Sequence, residues 1–147
     1  MKMKKYLFIG IALMGFSAFA TAQDGTKADI DAVKNMISSK PADMDKQLNN
    51  FLKKNKKNAE NLVAFAQAFY DVKDTARARN FAENALKANK SYAPAYIMLG
   101  DIAALCEDGG GAAGFYYQAI YFDPKNPTAY RKYASVYRKI SPAGAIA

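Results

Sequence analysis

The chain has 147 residues, with 21 lysines and arginines against 13 aspartates and glutamates, no histidine and one cysteine. The missing histidine excludes a Ser-His-Asp or Cys-His site and any histidine-based metal site. Carboxylates such as Asp71, Asp74 and Asp101 remain, but nothing in the sequence pairs them, so no catalytic residue, metal site or cofactor is expected.

The first stretch, Met1 to Gln23, reads MKMKKYLFIGIALMGFSAFATAQ. Lys2, Lys4 and Lys5 form a basic head, Tyr6 to Phe19 is apolar, and Ala20-Thr21-Ala22 fits a small-x-small cleavage rule. Together they predict a signal peptide over 1–22, cut before Gln23. The alternative is an uncleaved anchor, but the apolar run falls short of the ~20 residues that a spanning helix needs. No cysteine follows the run to carry a lipid. The expectation is an exported protein, periplasmic or secreted, with no stable membrane span after cleavage. Losing three lysines lowers the net charge from +8 to +5, which is ordinary solubility rather than a nucleic-acid signature.

After a polar lead-in from Asp24 to Lys27, Ile30, Val33, Met36 and Ile37 make a helical stripe. Lys40-Pro41 breaks it, and Met44, Leu48, Phe51 and Leu52 make a second. Residues 24–57 are read as a degenerate or capping helical hairpin, since terminal repeats are atypical. Lys53-Lys54-Asn55-Lys56-Lys57 closes it. One reading is a patch for anionic lipid, glycan or nucleic acid; the plainer one is a solvated helix end, where the helix dipole favours cations.

Asn58 is placed to cap the next helix, and Asn126-Pro127 a later one, with proline where its missing N–H costs nothing. Asp108-Gly109-Gly110-Gly111 reads as a turn; no Gly-Lys-Ser/Thr follows it to make a phosphate loop. Gly114 falls inside a predicted helix and costs about 1 kcal/mol there against alanine; close packing on the next repeat would explain it. Cys106 is read as a small core residue, with pairing between molecules as the alternative. The tyrosines from Tyr116 to Tyr137 resemble a carbohydrate platform at first sight, but most fall at core positions.

Pro127 to Ile140 predicts one more helix, with Tyr130, Tyr133, Ala134 and Tyr137 on one face. Ala143 begins a second that is too short to stand alone. The last repeat, 127–147, is therefore half built. The expectation is a fragment of a longer array, or a capping partner or self-association covering the tyrosines.

A period of about 34 residues organises the rest. Leu62, Tyr96 and Tyr130 fall on one mark, Phe65, Leu99 and Tyr133 on another, and Ala66, Gly100 and Ala134 on a third. Ala78 matches Ala112, and Ala85-Leu86 matches Ala119-Ile120. Self-similarity of this length signals stacked helical pairs whose stability is shared along the stack. The pattern Leu62-x-x-Phe65-Ala66-x-x-Phe69, with Ala112-x-x-x-Tyr116-x-x-Ala119-Ile120 and Asp123-Pro124, resembles the tetratricopeptide repeat (TPR), here of a bacterial exported type. Ala82, Lys90 and Ala103 depart from it. The resemblance covers Ala59 onwards and implies an all-α fold of TPR-like helical hairpins stacked in a right-handed superhelix, preceded by the signal peptide. The repeats would run 59–92 and 93–126, followed by the partial 127–147.

In that family the first helix of each repeat lines a concave groove that holds a peptide from a partner. Carried over, the groove positions are Val63, Gln67, Tyr70 and Asp71 in the first repeat. They continue as Ile97, Asp101, Ala104 and Leu105, then as Arg131, Ser135 and Arg138. The floor would run from acidic, through partly apolar, to basic. The carboxylate clamp of some TPR domains is not supported, because Val63, Gln67 and Thr128 stand at three of its positions. The resemblance implies a protein-interaction scaffold in the cell envelope. A glycan- or peptidoglycan-binding module, or an N-terminal spacer of a longer multi-repeat protein, is the alternative.

Overall fold

The computed structural model describes residues 26–140. The expected signal peptide over 1–22 and the helix begun at Ala143 lie outside them. By contacts the chain divides into two units, Met1–Ser39 and Lys40–Ala147. In the first, the described part is a single helix, α1 (26–39), already under way at Thr26 and Lys27, where a polar lead-in is expected. Asp29, Val33 and Met36 are its buried positions, spaced as one helical face.

The described part of the second unit is built from six helices in sequence: α2 (Met44–Lys54), α3 (Ala59–Asp71), α4 (Thr75–Ala88), α5 (Ala93–Leu105), α6 (Gly109–Phe122) and α7 (Pro127–Ile140). The connections are three or four residues long, which forces neighbouring helices to run antiparallel. α3 packs on α4, α5 on α6, and each pair on the next, with α3 also touching α5 and α6 touching α7. This is an all-α stack of helical hairpins.

The helix starts follow from local chemistry. Asn58 Oδ1 accepts from the Asn61 amide at 3.0 Å, and Asn126 Oδ1 from the Thr128 amide at 3.1 Å, each satisfying an orphan donor of the first turn. Asp74 and Asp108, one repeat apart, do the same for Arg77 (3.1 Å) and Gly111 (2.8 Å). The turns before these two caps are equivalent as well. Lys73 (φ 62°) and Glu107 (φ 61°) each take the left-handed conformation.

Two expectations about glycine are corrected here. Gly109 to Gly111 are not the turn; they are the first residues of α6, and the turn is Cys106 to Asp108. A Cβ on Gly111 would meet only the end of the flexible Asp108 side chain, and Arg77 holds the equivalent place under the Asp74 cap, so the cap itself does not call for glycine. A Cβ on Gly114 would meet nothing within 4 Å among the described residues outside its own helix, so tight packing does not account for it.

The core is aromatic in the first hairpin and small in the second. Phe81 lies edge-on to Phe65 (5.5 Å between centroids) and parallel to Phe69 (5.8 Å), and Phe51 of α2 meets Phe65 edge-on at 6.1 Å. Phe81 fills the place of the aromatic that Ala82 lacks, and both are buried. In the next repeat Gly100 faces Tyr116. Its missing side chain makes the room, since a Cβ there would stand 2.6 Å from Tyr116 Cδ1.

Candidate functional site

The residues expected to line a groove lie on α3, α5 and α7, the first helix of each hairpin. On α3, Val63 and Tyr70 are half-buried and Gln67 and Asp71 exposed. Gln67 Nε2 donates to Asp71 Oδ1 at 2.7 Å, one turn along the same helix. On α5, Ile97 is half-buried against the small core of Ala93, Ala119 and Ala129, while Ala104 and Leu105 are exposed. On α7, Arg131, Ser135 and Arg138 are all exposed, and Arg131 Nη2 donates to Thr128 Oγ1 at 3.2 Å.

Asp101 differs from the rest. Its side chain is only 15% exposed, and Oδ1 accepts from Tyr116 Oη and from Lys132 Nζ, each at 2.6 Å. One carboxylate thus joins α5, α6 and α7. Tyr70 of α3 lies within its electrostatic reach. Burial first, then Asp101 and Asp71, push the Tyr70 hydroxyl above the ordinary tyrosine range. Tyr116 is pushed up far more strongly, by burial and by its hydrogen bond to Asp101. Both phenols therefore stay neutral at neutral pH, and Tyr116 is the one that donates to Asp101.

Sequence reasoning missed Lys132 and read Tyr116 only as core. The signal was weak: Lys132 falls on the same repeat mark as Met98 and Ala64, two apolar residues. A lysine at such a mark must either be costly or find a partner, and Asp101 is that partner. The expected acidic-to-basic floor changes accordingly. The Asp101 charge is met inside the fold, so the exposed charges of the face are Asp71 at one end and Arg131 and Arg138 at the other.

Two further readings are corrected. Cys106 is exposed at the end of α5 rather than in the core. The tyrosines are not mainly core residues: Tyr116 is buried, but Tyr117 (57%), Tyr121 (68%), Tyr130 and Tyr137 are exposed. Tyr133 and Tyr137 stack at 5.8 Å, and Tyr117 lies 6.4 Å from Tyr133. Among the described residues no group of histidine, cysteine or carboxylate side chains could hold a metal, and no helix is long and apolar enough to cross a membrane.

No family model matches the chain, and no curated protein matches it. Two crystal structures of MamA share the fold. One is 21% identical with a TM-score of 0.62, covering 82% of this chain and 69% of that one. The other is 20% identical with a TM-score of 0.64, covering 86% and 70%. The likeness establishes the fold alone, a TPR-like stack of helical hairpins. It also corrects the recognition. The likeness is to MamA and not to an exported type, so the exported assignment and the periplasmic or secreted location are withdrawn. They rested on the composition of Met1 to Gln23 alone, whereas the likeness spans most of the chain.

Proposed function

We propose that this chain is a protein-interaction scaffold whose α3–α5–α7 face holds an extended or helical segment of another protein. The observation that carries the reading is a division of roles within those helices. Leu62, Phe65, Leu99 and Ala129 are spent on the core. Gln67, Asp71, Leu105, Arg131, Ser135 and Arg138 stand exposed on the groove positions. Repetition of the hairpin in the manner of TPR arrays would curve the stack into a right-handed superhelix with this face concave.

The chemistry of the face selects its occupant. Leu105 is an exposed apolar side chain near its middle. Arg138 has no partner among the described residues, and Arg131 has only a hydroxyl. A matching segment carries an apolar side chain centrally and acidic residues towards α7. The stacked rings of Tyr133 and Tyr137, with Tyr117 beside them, suit a covering helix from more of the same array, a capping partner or a second copy.

The test is charge reversal on α7. Arg131→Glu with Arg138→Glu removes partner binding while leaving the thermal transition within a few degrees, because both side chains are exposed. Asp101 is a poor site for such a test, since changing it disturbs the fold. Partner binding unchanged in the double variant would remove the assignment. Retention on insoluble polysaccharide, competed by soluble oligosaccharide, would replace it with a glycan module.

A further inference from the structure

A second surface stands apart from the groove. Antiparallel helices place the loops between hairpins at one edge of the stack and the turns within hairpins at the other. The inter-hairpin edge comprises the ends of α2, α4 and α6, the loops 55–58, 89–92 and 123–126, and the starts of α3, α5 and α7. Its lysines are arranged by the repeat. Lys53 and Lys87 are one repeat apart, as are Lys56 and Lys90, and Lys57 and Lys125 are two repeats apart. All six are exposed, and none has a side-chain partner among the described residues. Among the described residues, Glu60 and Asp123 are the carboxylates that oppose them at this edge. The other edge is mixed, with Asp71, Asp74, Glu107 and Asp108 set among Lys40, Lys73, Arg138 and Lys139.

Helix dipoles explain lysines in the last turn, which covers Lys53 and Lys87. They do not explain Lys56, Lys57, Lys90 and Lys125, which lie in the loops beyond. Adjacent helices in a stack are separated by about 10 Å, so these loops follow one another along one edge as a row of charge. Aromatic residues share that edge. Tyr121 (68% exposed) and Phe122 end α6, and Tyr130 lies in the first turn of α7. Phe122 stacks on Tyr96 at 5.3 Å, and the Tyr96 hydroxyl donates to the Lys90 carbonyl at 3.0 Å, bracing the loop between.

We propose that this edge docks on a lipid surface bearing anionic headgroups. A row of lysines flanked by amphipathic rings matches a flat, charged, half-apolar boundary, where lysines meet headgroups and tyrosines the interface. Duplex nucleic acid fits less well, because the rings have no place against a phosphate backbone. The contact is peripheral and leaves the α3–α5–α7 face open for a protein partner.

Vesicle co-sedimentation of the full chain tests the proposal. The lipids are phosphatidylcholine alone and phosphatidylcholine doped with phosphatidylserine, each at low and high salt. Each lysine at an anionic surface contributes about fivefold in partitioning. Lys56→Gln, Lys57→Gln, Lys90→Gln and Lys125→Gln combined should therefore weaken binding to the doped vesicles by at least about a hundredfold at low salt. Lys40→Gln, Lys46→Gln, Lys73→Gln and Lys139→Gln remove the same charge elsewhere and should change it little. The stretch from Met1 to Gly25 is identical in all three proteins, so any binding it adds cancels. Hydrogen exchange gives an independent footprint: amides of 53–57, 89–92 and 121–126 gain protection on doped vesicles only. Equal loss in both quadruple variants, protection mapped elsewhere, or no preference for the doped vesicles would overturn the proposal. Lysine-dependent binding to duplex DNA without vesicle binding would overturn it in favour of a nucleic-acid surface.

Discussion

Lys132 on α7 reaches back to Asp101 on α5, and its Nζ stands 2.6 Å from Oδ1. The same oxygen holds the buried Tyr116 hydroxyl. One carboxylate therefore fixes the third hairpin position to the second and completes the floor of the proposed binding face. Asp101→Ala leaves the phenol and the ammonium without their acceptor. Urea unfolding should show a loss of about 1–3 kcal/mol. Asp101→Asn keeps an acceptor and should lose less. A double-mutant cycle with Lys132→Met should show coupling, since the two groups share one interaction.

Gly100→Ala should destabilise by about 1–3 kcal/mol. The added methyl meets the rigid Tyr116 ring, which cannot withdraw without breaking its bond to Asp101. Gly114→Ala is the contrast. A Cβ there would meet nothing within 4 Å among the described residues outside its own helix, so removing a mid-helix glycine should stabilise by up to about 1 kcal/mol.

The phenols give a pH signature. Tyr116 has its value raised well above the ordinary 10.0 by burial and then by Asp101; Tyr70 and Tyr92 are raised chiefly by burial. A raised folded value means the unfolded chain ionises first. The associated stability is full below pH 10 and is lost as pH rises past it. Alkaline unfolding should begin there, and absorbance titration should show these three tyrosines ionising above the ordinary tyrosine range. Tyr116→Phe should blunt the alkaline loss while lowering stability at neutral pH.

Asn61 is buried and donates through Nδ2 to Asn55 Oδ1 at 2.8 Å, while Asn55 Nδ2 donates to the Phe51 carbonyl at 2.9 Å. This chain ties the end of α2 to α3. Asn61→Leu removes a donor from a buried acceptor and should cost about 1–3 kcal/mol in urea unfolding.

Cys106 should react fully with an aromatic disulfide reagent in the folded protein, without denaturant. Its exposure at the α5–α6 turn requires this, and a protected thiol would show that the turn is built differently.

The hairpins were legible because their signals repeat. The regular spacing of Leu62, Tyr96 and Tyr130 and the caps at Asn58 and Asn126 mark the same boundaries that the helices adopt. The Asp108 glycines misled because three glycines normally mark a turn. Here the cap at Asp108, one repeat after Asp74, held the helix start in register. Cys106 and the tyrosines misled for another reason. Periodicity places a residue on a helix but does not say whether a neighbour covers it, and at the α6–α7 end the rings of Tyr117, Tyr121 and Tyr137 are not covered. The Asp101–Lys132 pair could not be read in advance, because it depends on a lysine crossing from one repeat to the preceding one.

The measurement that decides the proposed role is site-specific photocrosslinking in the native cell. A photoreactive residue is placed at Gln67 or Ser135 on the α3–α5–α7 face, and at the exposed Asn80 or Gln118 on α4 and α6. A scaffold that binds through this face gives the same discrete protein adduct from Gln67 and Ser135 and none from Asn80 or Gln118. Adducts from the α4 and α6 positions alone, or equally from all four, would contradict it.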